Sequence, residues 1–73
     1  MNAAQKIKNI LKEVYEDGDV NAMTIWKGYD VSTGRTGWHY RWFGRSEAHC
    51  MGNSVEEARE YIADEANSRE VMP

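Results

Sequence analysis

The most reactive side chains of this sequence belong to His39, His49 and Cys50. A structural zinc site needs about four nitrogen, sulfur or oxygen ligands at spacings such as CxxC or HxxxH, and these three residues offer neither. A Cys–His nucleophile pair fails for His49, because adjacent strand residues point to opposite faces. His39 reaches Cys50 in only one of two strand registers. We predict no metal site and no cofactor.

Two further features could carry catalysis. The C-terminal part is rich in carboxylates, but paired-carboxylate catalysis needs a cleft that perturbs their pKa values, and these residues are typical of a solvated helix surface. Gly34 and Gly37 are too sparse for a phosphate-binding loop, and no Gly-Lys-Ser/Thr follows them. The sequence therefore predicts a protein that is not an enzyme.

A third feature is the segment GRTGWHYRWFGR, which interleaves three arginines with four aromatic residues. Aromatic rings beside arginine suit single-stranded RNA or DNA, because bases stack on the rings while the guanidinium groups bind phosphate. The net charge of −3 is unevenly distributed, since residues 21–45 are basic and residues 46–73 are acidic.

The elements that position these residues follow from apolar periodicity and capping signals. Residues 3–16 have the spacing of an amphipathic helix, with Asn2 as its cap and Gly18 closing it. Alternation and turn residues predict strands over residues 23–31, 38–43 and 47–51. Ser54, followed by Glu57 at the capping-box position, starts a second helix, and residues 68–73 are predicted to be a frayed tail.

We therefore predict an α+β fold in which residues 1–73 form one small domain: a helix, a three-stranded antiparallel meander and a helix, with both helices on one face of the sheet. A chain of 73 residues is too short for a second domain. No stretch approaches the roughly 18 apolar residues of a membrane span. With no signal-peptide pattern and a single cysteine, we expect a cytoplasmic location without membrane association.

Two registers of the second hairpin are conceivable, and they differ in which side chains share a face. A two-residue turn at Gly44-Arg45 places His39 opposite Cys50. A three-residue turn over residues 44–46 places the aromatic side chains of the second strand with Ala48 and Cys50, and we prefer this register because it separates apolar from polar residues. It leaves an open face with these residues: Thr24, Trp26, Gly28, His39, Arg41, Phe43, Glu47, His49 and Met51.

Trp, Phe and Met among Arg and His are typical of a protein-binding surface. Our leading hypothesis is a small intracellular regulator or inhibitor, of the kind common among bacteriophage-encoded host modulators, that occupies the surface of a partner protein. The predicted anchors are Trp26, Arg41 and Phe43, and the polar rim is His39, His49, Arg35 and Arg45. Homodimerisation through the open face or the edge of the first strand is a linked hypothesis.

Two alternatives belong to other classes: a nucleic-acid-binding module that uses the middle hairpin, and a structural subunit of a larger assembly. The helix, three strands and helix resemble the double-stranded-RNA-binding domain in topology. That family has a lysine-rich start to its second helix, whereas this helix starts Ser54-Val55-Glu56-Glu57, which would repel phosphate. The hairpin followed by SVEEAREYI is also similar to the HicB antitoxin fold and other small hairpin–helix domains.

Overall fold

A computed structural model describes residues 1–71 of the chain, with side chains described for residues 1–67. The elements are α1 (Ala3–Val14), α2 (Asp17–Asn21), β1 (Met23–Asp30), β2 (Arg35–Trp42), β3 (His49–Gly52) and α3 (Val55–Val71). The strands form one antiparallel sheet in the order β1-β2-β3, which confirms the α+β class and the meander. The predicted frayed tail overlaps the helical backbone of residues 68–71, and its last two residues lie outside the described part of the chain.

The N-terminal helix begins as predicted and ends earlier than predicted. The Asn2 side chain accepts a hydrogen bond of 2.8 Å from the Gln5 backbone N–H, which caps α1. Tyr15 is already extended, so α1 ends before Gly18. The prediction that Gly18 closes this helix is therefore wrong, and Gly18 lies inside α2. This additional short helix turns the chain so that Val20 becomes fully buried, and burial of that side chain explains why a second turn of helix forms.

The C-terminal helix begins at the predicted capping motif. The Ser54 hydroxyl accepts a hydrogen bond of 3.1 Å from the Glu57 N–H, while the Glu57 carboxylate accepts one from the Asn53 N–H. The motif differs from a standard capping box only in that Glu57 reaches one residue further back. Ala58 and Ile62 on the predicted inner stripe are buried.

The second hairpin adopts the register that we preferred over only part of its length. That register holds at Trp38, which pairs with Gly52, but a bulge follows. Beyond the bulge, His39 pairs with Cys50 and Tyr40 with His49, as in the other register. The connection between β2 and β3 spans residues 43–48 and is not a tight reversal. The length of the turn therefore does not set the register, and the bulge allows both registers to occur in one pair of strands.

This register moves several residues away from their predicted faces. Met51, which we expected on the open face, is buried in the core. The His49 ring stacks on the Tyr40 ring with 4.9 Å between centroids, so it lies on the core side of the sheet. Cys50 lies opposite His39 and not beside the core aromatics. The predicted open face therefore loses its third-strand members.

The core lies between the two long helices and one face of the sheet. Its buried members are Ile7, Ile10, Leu11, Val20, Tyr40, Met51, Ala58 and Ile62. From the first two strands, only Met23, Ile25, Trp38, Tyr40 and Trp42 join this cluster, and they alternate along their strands. Because alternate residues share a face, α1 and α3 pack against the same side of the sheet. Burial in this core raises the pKa of the Tyr40 phenol.

The opposite side of the sheet, which we call the outer face, carries Trp26, His39, Arg41 and the cross-strand pair Gly28 and Gly37. Without side chains at this pair, the β1–β2 hairpin can bend, and its tip returns over the outer face. Gly37 has a φ of 149°, and a Cβ at this residue would lie 2.6 Å from the carbonyl oxygen of Gly52. The bend and the close approach of β3 therefore both require glycine at position 37.

We expect Gly37→Ala to lower the free energy of unfolding by about 2 kcal/mol or more, because it combines an unfavourable φ with a clash against backbone. Gly18→Ala is the matched control: the new methyl group would meet nothing within 4 Å in α2, so stability should rise by about 0.5–1 kcal/mol. Urea unfolding of both variants measures this. Equal effects of the two substitutions would contradict the bend.

Candidate functional site

Three side chains form a stack on the outer face. Trp26 and His39 are a directly opposed cross-strand pair, and their rings stack at 5.4 Å between centroids and 12° between planes. The Arg41 guanidinium carbon lies 5.5 Å from the centroid of the Trp26 ring, which is the geometry of a cation–π contact. Arg41 is exposed and Trp26 is half-buried. Two of the predicted anchors are therefore in contact, and one of them faces solvent.

His39 is the fully buried member of this stack and is not the exposed rim residue that we predicted. Its Nδ1 lies 2.9 Å from the Gly37 carbonyl oxygen, and its Nε2 lies 2.8 Å from the Thr33 hydroxyl. A carbonyl only accepts hydrogen bonds, so Nδ1 donates to Gly37, and the Thr33 hydroxyl is the partner of Nε2. Both ring nitrogens are engaged. Although Cys50 lies opposite, His39 has no nitrogen left to act as its base.

The tip of the β1–β2 hairpin is tied to the connection that precedes β3. The Asp30 carboxylate accepts hydrogen bonds from the Ser32 hydroxyl and, at 2.9 Å, from the Ser32 N–H. The Ser32 hydroxyl in turn accepts a 3.0 Å bond from the Ala48 N–H. The hydrogen bond from the Ser32 side chain is the main reason that the pKa of Asp30 lies below its usual value. These contacts close the outer face over His39.

Phe43 lies at the other end of the hairpin and is 88% exposed. It borders a groove of about 470 Å³, whose remaining lining residues are Trp42, Arg45, Glu47 and His49. The Phe43 N–H donates to the Ala22 carbonyl over 2.8 Å, which fixes the backbone while the ring faces solvent. We call the groove residues Phe43, Arg45, Glu47 and His49, together with Arg41 on the adjoining outer face, the Phe43 surface. Phe43 and Arg41 are two residues apart on β2 and its extension, so about 7 Å separates them along the strand.

Arg35 lies away from the Phe43 surface. It begins β2, six residues before Arg41, so about 20 Å of strand separates the two. It lines another groove, of about 590 Å³, together with the α3 residues Glu57, Glu60 and Asp64. The predicted rim of Arg35, His39, His49 and Arg45 is therefore split: His49 and Arg45 lie near Phe43, His39 is buried, and Arg35 faces acidic neighbours.

The polar clasp of Asp30, Ser32 and Thr33 was absent from the candidate residues that we derived from the sequence. The signal for it is present, because Asp-x-Ser-Thr-Gly after a strand is typical of a turn in which the Asp side chain bonds the backbone two residues on. We interpreted this stretch only as a polar turn. Its long-range contacts depend on the hairpin bend, which local sequence does not reveal.

Three further observations bear on function. Among the described residues, no group of three or more His, Cys, Asp or Glu side chains is arranged to hold a metal ion. Within the same part of the chain, no helix has the length and apolar character needed to span a membrane. Comparisons with protein-family models, with curated proteins and with solved structures find no match to this chain.

We expect His39→Ala to cost about 2–4 kcal/mol in the free energy of unfolding, because it leaves a cavity and removes the partner of two polar groups. Thr33→Val should cost less, about 1 kcal/mol, because Thr33 is half-buried and the hydrogen bond from His39 to the Gly37 carbonyl remains. Chemical denaturation monitored by tryptophan fluorescence measures both. A cost below about 0.5 kcal/mol for His39→Ala would contradict the buried network.

The clasp also predicts a pH dependence. The pKa of folded Asp30 is depressed from 3.8, so its ionised form stabilises the fold above the unfolded pKa, and this contribution is lost as pH falls through the folded value. Asp30→Asn should lower stability at neutral pH, and its difference from wild type should shrink below about pH 4. Ser32→Ala should remove the same pH-dependent component. If the free energies of unfolding of wild type and Asp30→Asn differ by a constant amount between pH 7 and pH 2, this contribution is excluded.

Proposed function

We propose that this protein is a non-enzymatic protein-binding domain, a regulator or inhibitor that occupies the surface of a partner protein through the Phe43 surface. The observation that carries the proposal is the exposure of Phe43, at 88%, beside a groove with aromatic walls and with Arg45 and Glu47 at its margin. Protein interfaces commonly place an aromatic anchor at the centre of a polar rim. An apolar ring that inserts into a partner would leave both charges free to pair around it.

Arg41 adds an ordered polar contact to this surface. Its guanidinium rests on the Trp26 ring, which in turn rests on the buried His39. A side chain that is already held in place loses less conformational entropy when it binds. The exposed nitrogens of Arg41 can donate to a carboxylate or to backbone carbonyls of a partner. Trp26 then supports the interface from beneath Arg41, a more specific role than the direct anchor that we predicted.

Nucleic-acid binding is the weaker candidate because the sheet separates the residues that the sequence interleaves. Tyr40 is buried and Trp38 and Trp42 are half-buried against the core, which leaves less ring surface for stacking on bases. Arg35 lies about 20 Å from Arg41 along β2. Phe43 with the neighbouring Arg41 and Arg45 is a smaller set than the tracks of rings and cations that bind single strands.

A cytoplasmic location is part of the proposal. Cys50 is a free, half-buried thiol in the described structure. A thiol that remains reduced fits a compartment in which glutathione and thioredoxin maintain reducing conditions. Fractionation of source cells with an antibody against the protein tests this, and recovery of the protein outside the cytoplasm would refute it.

Site-specific photo-crosslinking tests the Phe43 surface and identifies what it binds. A benzophenone amino acid at position 43 should capture a partner in source cells, whereas the same group at position 31 should not. Val31 is the matched control because it is apolar and 86% exposed, but lies at the hairpin tip. Capture that disappears after nuclease treatment would support the nucleic-acid alternative. A chain that is unfolded when expressed alone and folds only with its partner would support the structural-subunit alternative.

With the captured partner purified, Phe43→Ala should weaken binding at least tenfold, which corresponds to about 1.4 kcal/mol. Val31→Ala should leave affinity unchanged. Titration calorimetry measures both, after circular dichroism has shown that each variant is folded. Equal affinities of wild type and Phe43→Ala would refute the proposed surface.

A further inference from the structure

The free side of β1 is a backbone edge with an ordered pattern of donors and acceptors. Phe43 N–H donates to Ala22 O, and the register from Met23 to Asp30 continues without a shift. Even-numbered residues of β1 therefore direct their backbone groups to β2, and the odd-numbered residues direct theirs outward. These residues are Met23, Ile25, Lys27 and Tyr29. In the described part of the chain, no cap, turn or side chain hydrogen-bonds to these outward groups.

A groove accompanies this edge on the core side of the sheet. It has a volume of about 300 Å³ and is lined by Asn2, Ala4, Gln5, Lys8, Met23 and Ile25. Tyr29 has its side chain on the same side of the sheet but near the other end of β1, where it is 63% exposed. The edge therefore presents a recess with mixed polar and apolar lining at one end and a largely exposed ring at the other.

We propose that β1 pairs with β1 of a second copy, antiparallel, about a two-fold axis through Trp26, to form a continuous six-stranded sheet. In this register Ile25 faces Lys27 of the second copy, and Met23 faces Tyr29 of the second copy. Every outward backbone group of the four odd residues gains a partner. Each Tyr29 ring covers Met23 and the groove of the other copy, so the recess and the ring complement each other.

The charge and exposure of the edge residues select this register. Outward-facing residues must oppose one another, and the axes that pair at least three of the four outward residues of β1 pass through Ile25, Trp26 or Lys27. An axis through Lys27 would place two ammonium groups directly opposite, which is unfavourable. An axis through Ile25 would place Tyr29 beyond the end of the partner strand and leave it exposed. Only the axis through Trp26 avoids the repulsion and covers the ring.

Sedimentation of the full chain over a range of concentrations tests the pairing. Wild type and Lys27→Ala should dimerise, because alanine keeps the outward N–H. Lys27→Pro should weaken the dimer at least tenfold, because it removes only an outward donor and proline is tolerated in edge strands. Circular dichroism establishes that the proline variant is folded. If it is not, Tyr29→Asp replaces it, since that exposed side chain can change without loss of core packing.

The register has its own measurement. In a mixture of isotope-labelled and unlabelled chains, a nuclear Overhauser effect should connect the Met23 methyl group with the Tyr29 ring between copies. The two residues are six positions apart in one strand, about 20 Å, so no contact within one chain can produce this signal. A wild-type chain that stays monomeric at the highest attainable concentration would overturn the proposal. A dimer that survives both Lys27→Pro and Tyr29→Asp would do so as well.

Discussion

The burial of His39 is the interaction on which the outer half of this structure depends. Both long helices pack against one face of the sheet, and the part of the other face that bears His39 is covered by the hairpin tip. The two nitrogens of His39 bind the Gly37 carbonyl and the Thr33 hydroxyl. A buried ring with two polar atoms is tolerated only when both are satisfied. The hairpin tip therefore has to bend back over the sheet, and the Ser32–Ala48 contact follows from that bend.

The same interaction orders the surface that we propose for binding. The His39 ring supports Trp26, and Trp26 supports the Arg41 guanidinium, so a hydrogen-bonded ring in the interior determines the position of an exposed cation. An exposed cation–π contact adds roughly 0.5–1 kcal/mol, and a ring–ring stack roughly 0.5–1.5 kcal/mol. Their larger effect on binding is to restrict rotamers before a partner arrives. The clasp and the position of the Arg41 side chain are therefore linked through Trp26 and His39.

The elements that depend on neighbours in sequence could be predicted, whereas the contacts between distant segments could not. The Asn2 and Ser54 caps and the inner stripe of α3 follow local rules. The second hairpin fails because a bulge between Trp38 and His39 combines both registers in one pair of strands. No turn-length argument detects a bulge inside a strand. Among the candidate site residues, we predicted Phe43, Arg41 and Trp26 on the open face of the sheet. We also predicted an exposed His39, which is wrong because its hydrogen-bond partners come from a bent hairpin tip.

Each of the two proposed interfaces uses a part of the sheet that its internal bonding leaves free. The hydrogen bonds between β1 and β2 use the even-numbered groups of β1, which leaves the odd-numbered edge for another strand. The Phe43 surface lies past the last ladder pair, Met23 with Trp42, where no further strand is needed. In the proposed dimer, the two Phe43 residues would be eight positions apart along the strands and three strand spacings across, about 30 Å in total. Two equal surfaces at that distance, related by a two-fold axis, fit a partner that is itself two-fold symmetric. Binding at the second surface would then be intramolecular, and avidity would exceed the affinity of either surface alone.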